Sequence, residues 1–181
     1  MAHKIEWTEQ TWNPSAGCTK NSSGCINCYA ESMAIRLQAM GVEGYENGFE
    51  FNPVPSRLND PFKRKKPTVY FVNSMSDIFH KDMPEEYLNK IFSVINETPH
   101  HTYQILTKRA DRMLQYLSQH EIPKNIWLGV TVDNRKEGLP RIDKLRKLHA
   151  SVLFLSVEPL LEDLGKINLE NIDFMSFNLE D

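Results

Sequence analysis

The sequence predicts an α/β fold built from parallel βα units. Short apolar runs rich in β-branched and aromatic residues alternate with amphipathic stretches along residues 68–157. The apolar runs are hydrophobic on both faces, as the strands of a buried parallel sheet are. Strands that alternate with helices favour parallel pairing with right-handed crossovers. No break in composition divides this region, so a single domain over 1–181 is expected.

The first βα unit has the clearest local signals. Residues 68–73 follow Pro67 and are mostly β-branched or aromatic, which predicts a strand. Pro84, with Glu85 and Glu86 in the turn after it, predicts the start of a helix that continues to about residue 96. Apolar side chains recur in that helix at three- and four-residue spacing, which predicts one buried face.

The same alternation continues to the C-terminal part of the chain. Residues 40–67 contain four prolines and predict an irregular connection, with one short strand near 49–51. A last apolar stretch at 172–177 is a candidate for one more strand. The remaining predicted elements are strands at 102–107, 126–131 and 152–157 and helices at 110–119 and 139–148.

Composition limits the class of protein. The chain has 181 residues, 40% of them hydrophobic and 25% charged, which is typical of a globular domain with its own core. No apolar run approaches the roughly 20 residues that span a bilayer, and no signal peptide is recognisable, so we expect a cytoplasmic protein without membrane contact. The net charge of -3 gives no general attraction for nucleic acid. The basic run at 63–66 is expected to be a solvated turn, with a phosphate-binding patch as the alternative, which leaves nucleic acid open as a partner.

Polar residues capable of chemistry follow four of the predicted strands. In a parallel sheet the carboxyl ends of the strands converge on one edge, and that edge usually holds the site. Capping of the following helices is the alternative explanation for any single position. The set favours a functional edge, and its segments are 73–77, 107–109, 131–134 and 156–159.

All three cysteines of the chain lie within eleven residues, as Cys18, Cys25 and Cys28 in the pattern C-x6-C-x2-C. In a reducing cytosol, clustered thiols favour a metal or an iron–sulfur cluster over disulfides, and an odd number cannot pair fully. A structural zinc site needs four ligands, and His80 is the candidate for the fourth. The other interpretation is a cluster that leaves one iron without a protein ligand.

The cysteine segment and four later segments resemble a phage-associated family of radical-SAM-like, three-cysteine proteins. The resemblance extends from about residue 7 to residue 161, in the same order along the chain. It rests on the segments 12–18, 24–30, 71–80, 106–109, 127–130 and 155–160.

The resemblance implies a partial (β/α) barrel of parallel strands, with its first strand near 11–14. It implies a 4Fe–4S cluster on Cys18, Cys25 and Cys28, and S-adenosylmethionine bound at the open iron. Reductive cleavage of that cofactor would then start radical chemistry on an unknown substrate, so the protein is expected to be a radical-SAM-type enzyme. The strand-end residues expected to hold the cofactor are Asn73, Ser74, Ser76, Asp77, Lys108, Arg109, Thr131, Asn134 and Glu158. Of these, Lys108 or Arg109 is expected to meet the cofactor carboxylate.

The resemblance also bears on the ends of the chain. Family members continue beyond the region matched here, so the chain is expected to be shortened at its C-terminal end, and a separately encoded partner protein is expected. Trp7 and Trp12 could shield a cluster or simply cover the end of the barrel. The competing interpretations are a zinc-stabilised module and a non-catalytic phage accessory protein. In the second, Tyr29, Tyr70, Trp127 and Arg109 could stack on bases, although core packing explains most of them better.

Overall fold

The computed structural model describes residues 8–177. Three 3-10 helices, at Ser23–Cys25, Pro55–Arg57 and Asp60–Lys63, lie in the connections. The other elements, in chain order, are β1 (Gln10–Trp12), β2 (Ser15–Ala16), α1 (Tyr29–Ala39), β3 (Asn52–Pro53), β4 (Val69–Val72), α2 (Glu85–Glu97), β5 (Thr102–Thr107), α3 (Ala110–Leu117), β6 (Ile126–Thr131), α4 (Leu139–Leu145), β7 (Val152–Ser156) and β8 (Phe174–Ser176).

Six strands form one parallel sheet in the order β1-β4-β5-β6-β7-β8. Each of the five neighbouring pairs is parallel, as the alternation of strands and helices predicts. The two remaining strands, β2 and β3, pair antiparallel in a separate small sheet. All carboxyl ends of the main sheet therefore open on one edge, directly beside the segment that carries the cysteines.

The two faces of the sheet have different surroundings. Tyr103, Ile105 and Leu128 belong to the main core, together with apolar residues of α2, α3 and α4. Alternate residues point to the opposite face. There Phe71, Gln104 and Trp127 lie in one register row, and Phe154 stacks on Phe174 with ring centroids 5.1 Å apart. The helices thus cover one face and leave an inner face lined largely by aromatic rings.

The helices pack through the apolar positions that their spacing predicts. The buried side chains of α2 include Leu88, Ile91 and Ile95, which recur at three- and four-residue intervals. α4 packs against both β6 and α3, with Ile142 and Leu145 in the core. The apolar faces of α2 and α4 therefore hold these helices against the core and fix the neighbouring strand ends.

The predicted strands and helices after residue 67 are confirmed, including the last strand, which is Phe174–Ser176. Two predicted strand positions were wrong. The first strand is Gln10–Trp12 rather than 11–14, because Pro14 cannot donate to a ladder. The short strand is Asn52–Pro53 rather than 49–51, and it pairs with Ser15 and Ala16 on the chain that leads to the cysteines.

Trp12 lies in the main core, 1% exposed, where its ring meets Tyr103 edge to face. Its indole N–H donates to the Arg57 carbonyl at 2.9 Å. Trp12 therefore has a packing role, and Trp7 lies outside the described residues. Within residues 8–177, no helix is both long and apolar enough to cross a membrane.

Candidate functional site: a cysteine loop tethered to the sheet

The three cysteines lie on one segment, residues 17–28, which we call the cysteine loop. It begins just after β2 and ends where α1 starts. Its first half contacts the chain that follows β5, and its second half contacts the chain that follows β6. The loop therefore lies at the carboxyl edge of the parallel sheet, where the sequence predicts the site.

The entry to the loop requires glycine. Gly17 has φ of +70°, and a Cβ on it would lie 1.9 Å from the Glu50 carbonyl oxygen. The Cys18 amide donates to the Phe49 carbonyl at 3.0 Å. The Ser76 hydroxyl donates to the Gly17 carbonyl at 2.7 Å. These contacts fix the backbone on both sides of the first thiol.

The other two thiols lie at the ends of helices. Cys25 ends the 3-10 helix Ser23–Cys25, and its sulfur lies 3.7 Å from the Ser22 hydroxyl. Cys28 is the residue before the first turn of α1, and its thiol makes no capping hydrogen bond. Cys28 thus stands at the N-terminal end of α1, with its thiol left uninvolved in capping.

All three thiols are free and partly exposed. Burial, followed by the nearby Asp77 carboxylate, raises the pKa of the Cys18 thiol, while the Arg109 guanidinium acts in the opposite direction. A cation that counteracts burial at this sulfur would favour a thiolate ligand. The contacts of Arg109 are therefore central to the site.

Arg109 forms the first tether between the sheet and the cysteine loop. It follows β5, and its Nη2 donates to the Thr19 carbonyl at 2.8 Å and to Thr19 Oγ1 at 3.1 Å. The same nitrogen lies 3.8 Å from Cys18 Sγ, and Nη1 lies 3.5 Å from Asn21 Oδ1. Asn21 in turn donates to the Lys108 carbonyl at 3.0 Å. The first half of the loop is held by five polar contacts to two consecutive residues.

Asp77 supports the first tether by contacting the residues at the end of β5 and just after it. Its Oδ1 accepts from the Phe79 amide at 2.9 Å, and the Thr107 hydroxyl lies 2.8 and 2.9 Å from its two oxygens. Oδ2 also accepts from the Lys108 amide at 3.2 Å and lies 3.9 Å from Arg109 Nε. Other groups of the chain thus already donate to the Asp77 carboxylate, and this carboxylate fixes the chain after β5.

Asp133 forms the second tether, after β6. It is fully buried, and its Oδ1 pairs with Arg141 Nη1 at 3.0 Å. The Ser22 hydroxyl of the loop donates to Asp133 Oδ2 at 3.0 Å. A Cβ on Gly24 would lie 2.1 Å from that oxygen, so a residue without a side chain is needed here. Arg141 also donates to the Thr131 carbonyl at 2.7 Å, which ties the pair to the end of the strand.

Glu137 extends the second tether. Its Oε2 accepts from the Ser23 amide at 2.9 Å and from the Ser23 hydroxyl at 2.7 Å. Asn134 donates to the same oxygen at 3.0 Å and to the Ser23 hydroxyl at 2.9 Å. The Ser23 hydrogen bonds lower the pKa of Glu137 to about 2. The carboxylate is therefore charged at neutral pH and holds the turn before Cys25.

His80 is fully buried beneath the first tether. Its Nε2 lies 3.2 Å from the Thr19 backbone nitrogen and 2.9 Å from Thr19 Oγ1, and its Nδ1 accepts from the Asp82 amide at 3.2 Å. The ring stacks on Phe51, with centroids 4.1 Å apart. Burial, followed by the charge of Arg109, lowers the pKa of His80 to about 4. His80 is thus a neutral support for Thr19, with both ring nitrogens already engaged.

Asn73, Ser74 and Ser76 meet the chain that leads into the loop. Asn73 has φ of +59°. Its amide group donates to Ser15 Oγ at 3.0 Å, and its carbonyl oxygen accepts from the Ser15 amide at 3.4 Å. The Ser74 hydroxyl donates to Asn13 Oδ1 at 3.2 Å. These predicted cofactor residues are thus gathered at one place, where they hold the loop entry.

Lys108, Thr131 and Glu158 differ in their surroundings. Lys108 Nζ donates to Thr131 Oγ1 at 3.4 Å, at the top of the inner face. Thr131 is paired in register with Ser156, which continues the same polar row across the sheet. Glu158 is exposed and forms no hydrogen bond or ion pair with another of the described residues. The structure therefore brings eight of the nine predicted strand-end residues to the cysteine loop, to its entry and supports, or to the inner face, and leaves Glu158 apart.

The base-stacking set proposed for an accessory protein is not one surface. Tyr70 is 6% exposed and stacks on Tyr103 within the core. Tyr29 is exposed on α1, and its hydroxyl donates to the Ser74 carbonyl. Arg109 is engaged by the cysteine loop, and Trp127 lies in the sheet. These four residues therefore do not form a stacking platform.

The donor set determines which inorganic group fits the loop. Among residues 8–177, no group of three or more His, Cys, Asp or Glu side chains could hold a metal ion. A fourth zinc ligand would have to be His80, whose nitrogens meet Thr19 and Asp82. A 4Fe–4S cluster binds each thiolate at a different iron, so its sulfurs stand farther apart than those around one ion. Three partly exposed thiols on one anchored loop fit such a cluster better than a four-ligand zinc site.

Several residues of the two tethers were not predicted as site residues: Thr19, Asn21, Ser22, Ser23, Asp133, Glu137 and Arg141. The only signal for Asp133 is its position in the polar segment after β6. The others are ordinary loop or helix residues until the fold brings them together. Arg141 is one charge on a short helix whose other inward residues are apolar.

Residues 2–177 match a family described as "Protein of unknown function (DUF5131)". The chain belongs to the DUF5131 family. No curated protein matches its sequence at a significant level. The family description names no phage and no reaction, so the phage association stays a prediction.

Two solved structures share the fold of this DUF5131 chain, and both are radical-SAM spore photoproduct lyases. A cysteine-to-serine variant has a TM-score of 0.58 and 15% identity, over 86% of this chain and 47% of that one. A double variant with bound AdoMet and dinucleoside spore photoproduct has a TM-score of 0.56 and 14% identity, over 91% of this chain and 54% of that one. The DUF5131 chain thus spans about half the length of these structures. At this identity the likeness shows the fold alone, and the predicted radical-SAM-like α/β fold is confirmed.

Proposed function

We propose that this DUF5131 protein is a radical-SAM-type enzyme whose cysteine loop binds a 4Fe–4S cluster through Cys18, Cys25 and Cys28. When bound, the cluster would supply the electron that reductively cleaves S-adenosylmethionine. The observation that carries the proposal is that all three thiols lie on one loop, anchored at the carboxyl ends of β5 and β6 in a fold shared with radical-SAM enzymes.

The chain's own residues would divide the work of holding the cofactor. Lys108 and Thr131 lie at the top of the inner face, and the Lys108 ammonium is a suitable partner for a carboxylate. Asn73, Ser76 and Asp77 would act indirectly, because their polar groups already bind the loop entry and the chain after β5. Glu158 remains a proposed contact on position alone.

A nucleotide-containing substrate is the extension that the comparisons support. One of the two solved neighbours holds AdoMet together with a dinucleoside. The inner face of this chain carries aromatic rings, among them Trp127 and Phe174 with ring centroids 6.1 Å apart. It offers apolar surface next to the polar strand ends. The partner protein and the cytoplasmic location stay predictions.

The experiment that tests the proposal is anaerobic reconstitution with iron and sulfide. We expect about four irons per chain and an electron paramagnetic resonance signal that changes when S-adenosylmethionine is added. Formation of 5′-deoxyadenosine after reduction, followed by chromatography with and without an oligonucleotide of mixed sequence, would test turnover and the substrate class separately.

Matched variants separate cluster binding from adventitious iron. Cys18→Ala, Cys25→Ala and Cys28→Ala should each abolish the signal, because the chain contains no other cysteine. His80→Gln should retain iron, since His80 binds Thr19 rather than the thiols. About one zinc per chain without cluster uptake, or iron uptake unchanged by the cysteine variants, would refute the proposal.

A further inference from the structure

The guanidinium of Arg109 faces the cysteine loop, although its place after β5 predicts a contact with the cofactor carboxylate. Its Nη2 lies 2.8 Å from the Thr19 carbonyl oxygen, 3.1 Å from Thr19 Oγ1 and 3.8 Å from Cys18 Sγ. Nη1 lies 3.5 Å from Asn21 Oδ1. Both terminal nitrogens thus point at residues 18–21.

Thr107 and Asp77 lie beside the backbone and the Nε atom of Arg109, although Nε makes no hydrogen bond within the described part of the chain. The Arg109 amide donates to Thr107 Oγ1 at 2.9 Å, and Nε lies 3.9 Å from Asp77 Oδ2. Asp77 is itself held by the Thr107 hydroxyl and the Lys108 amide. Only 10% of the Arg109 side chain is exposed. Both terminal nitrogens of Arg109 are engaged by the loop, which leaves Lys108 as the freer cation at this edge.

A positive charge so close to one sulfur has a specific electronic effect. A hydrogen bond from a cation to a sulfur ligand withdraws electron density from the metal centre and raises its reduction potential. The distance of 3.8 Å is within the range for an N–H donor and sulfur. Of the three thiols, Cys18 is the one that receives a hydrogen bond from an arginine among the described residues.

We propose that Arg109 is a positioning residue that holds residues 18–21 and donates a charge-assisted hydrogen bond to the Cys18 thiolate, which makes a cluster on this loop easier to reduce. The inference rests on the proposed function, because it concerns the cluster that the three thiols would hold. Arg109 touches the ligand and the loop, and it acts on the reaction only through them.

The test is a redox titration of the reconstituted protein, with the spectroscopic signal of the reduced cluster as the readout. Arg109→Gln removes the charge and should make the cluster about tenfold harder to reduce, a shift of about 59 mV to more negative potential for one electron. Arg109→Lys keeps the charge without the planar fork, so its reduction potential should lie between those of Arg109→Gln and the unchanged protein.

Arg112→Gln is the matched control. Arg112 lies on α3 one turn beyond Arg109, and its Nη2 donates to the Met83 carbonyl instead of to the loop. Loss of this charge should leave the potential close to that of the unchanged protein. An equal shift in Arg112→Gln and Arg109→Gln would mean a general loss of positive charge, and it would overturn the inference.

The remaining outcomes distinguish the two proposals. A wild-type protein that takes up no cluster refutes the proposed function, and the inference with it. A wild-type cluster whose potential is unchanged in both Arg109 variants overturns the inference and leaves the proposed function standing. If Arg109→Gln does not retain a cluster, the potential of Arg109→Lys decides, and a value equal to wild type counts against the hydrogen bond.

Discussion

Loss of the buried Asp133 carboxylate should destabilise the protein strongly. Asp133 is 0% exposed, and the Arg141 side chain that pairs with it at 3.0 Å is 5% exposed. Asp133→Ala leaves the guanidinium in the interior, where its remaining hydrogen bond within residues 8–177 is to the Thr131 carbonyl. The same change removes the acceptor of the Ser22 hydroxyl, so the second half of the cysteine loop loses its anchor.

The magnitude follows from the burial of both partners. Removing one member of a buried ion pair costs about 3–5 kcal/mol, because the other charge stays in the interior uncompensated. With a urea dependence of about 2 kcal/mol per molar, the unfolding midpoint should fall by about 1.5–2.5 M. The double variant Asp133→Ala/Arg141→Met removes both charges. Its cost should be smaller than the sum of the two single costs by about 2 kcal/mol or more.

The assay is urea unfolding of the four proteins of this cycle, followed by tryptophan fluorescence, since Trp12 is in the core. Asp143→Ala is the matched control. It breaks a pair of similar length, 2.9 Å to Arg146, but the Asp143 side chain is 76% exposed. Its cost should stay below about 1 kcal/mol. Single costs that simply add in the double variant, to within about 0.5 kcal/mol, would refute the reasoning.

Three further predictions concern the supports of the loop. Gly17→Ala should lower the free energy of unfolding by at least about 1–2 kcal/mol, because φ is +70° and the new Cβ would meet the Glu50 carbonyl. An unchanged urea midpoint would contradict this. The pKa of His80 falls to about 4 on folding, below its ordinary value, so the unfolded chain binds the proton first. The contribution of His80 to the free energy of unfolding is therefore fully present above about pH 6.5 and is lost as the pH falls toward 4. His80→Gln should flatten this pH dependence when unfolding is measured in urea. The pKa of Glu137 is also lowered, to about 2, so its hold on Ser23 is complete above about pH 4.5 and is lost as the pH falls toward 2. Glu137→Gln should speed hydrogen exchange of the Ser23 amide at neutral pH, and equal rates in both proteins would count against the contact.

The main sheet could be predicted because its strands carry strong local signals. The bounds of β5 and β6 are those that the apolar runs at 102–107 and 126–131 predict. Helix α1 was missed for a physical reason. Only Ala30 and Ala34 of α1 are buried, so no wide apolar stripe marks the helix in the sequence.

The candidate site could be predicted only in its outline. The thiols and the polar strand ends are visible as residue types, and the parallel topology places them on one edge. The groups that pair with one another are far apart in the sequence. Arg109 meets Thr19, 90 positions away, and Ser22 meets Asp133, 111 positions away. No local pattern encodes such distances, so a cofactor contact was expected for Arg109 where the fold provides a loop contact.

The length of the six-residue gap between Cys18 and Cys25 is set by the distance between its two anchoring points. Its first half ends on the chain after β5 and its second half on the chain after β6, two neighbouring strands about 4.8 Å apart. A relative with a gap shortened past Ser22 would have no hydroxyl to meet Asp133. In an alignment of the DUF5131 family, the length of this gap and the identity of position 133 should therefore change together.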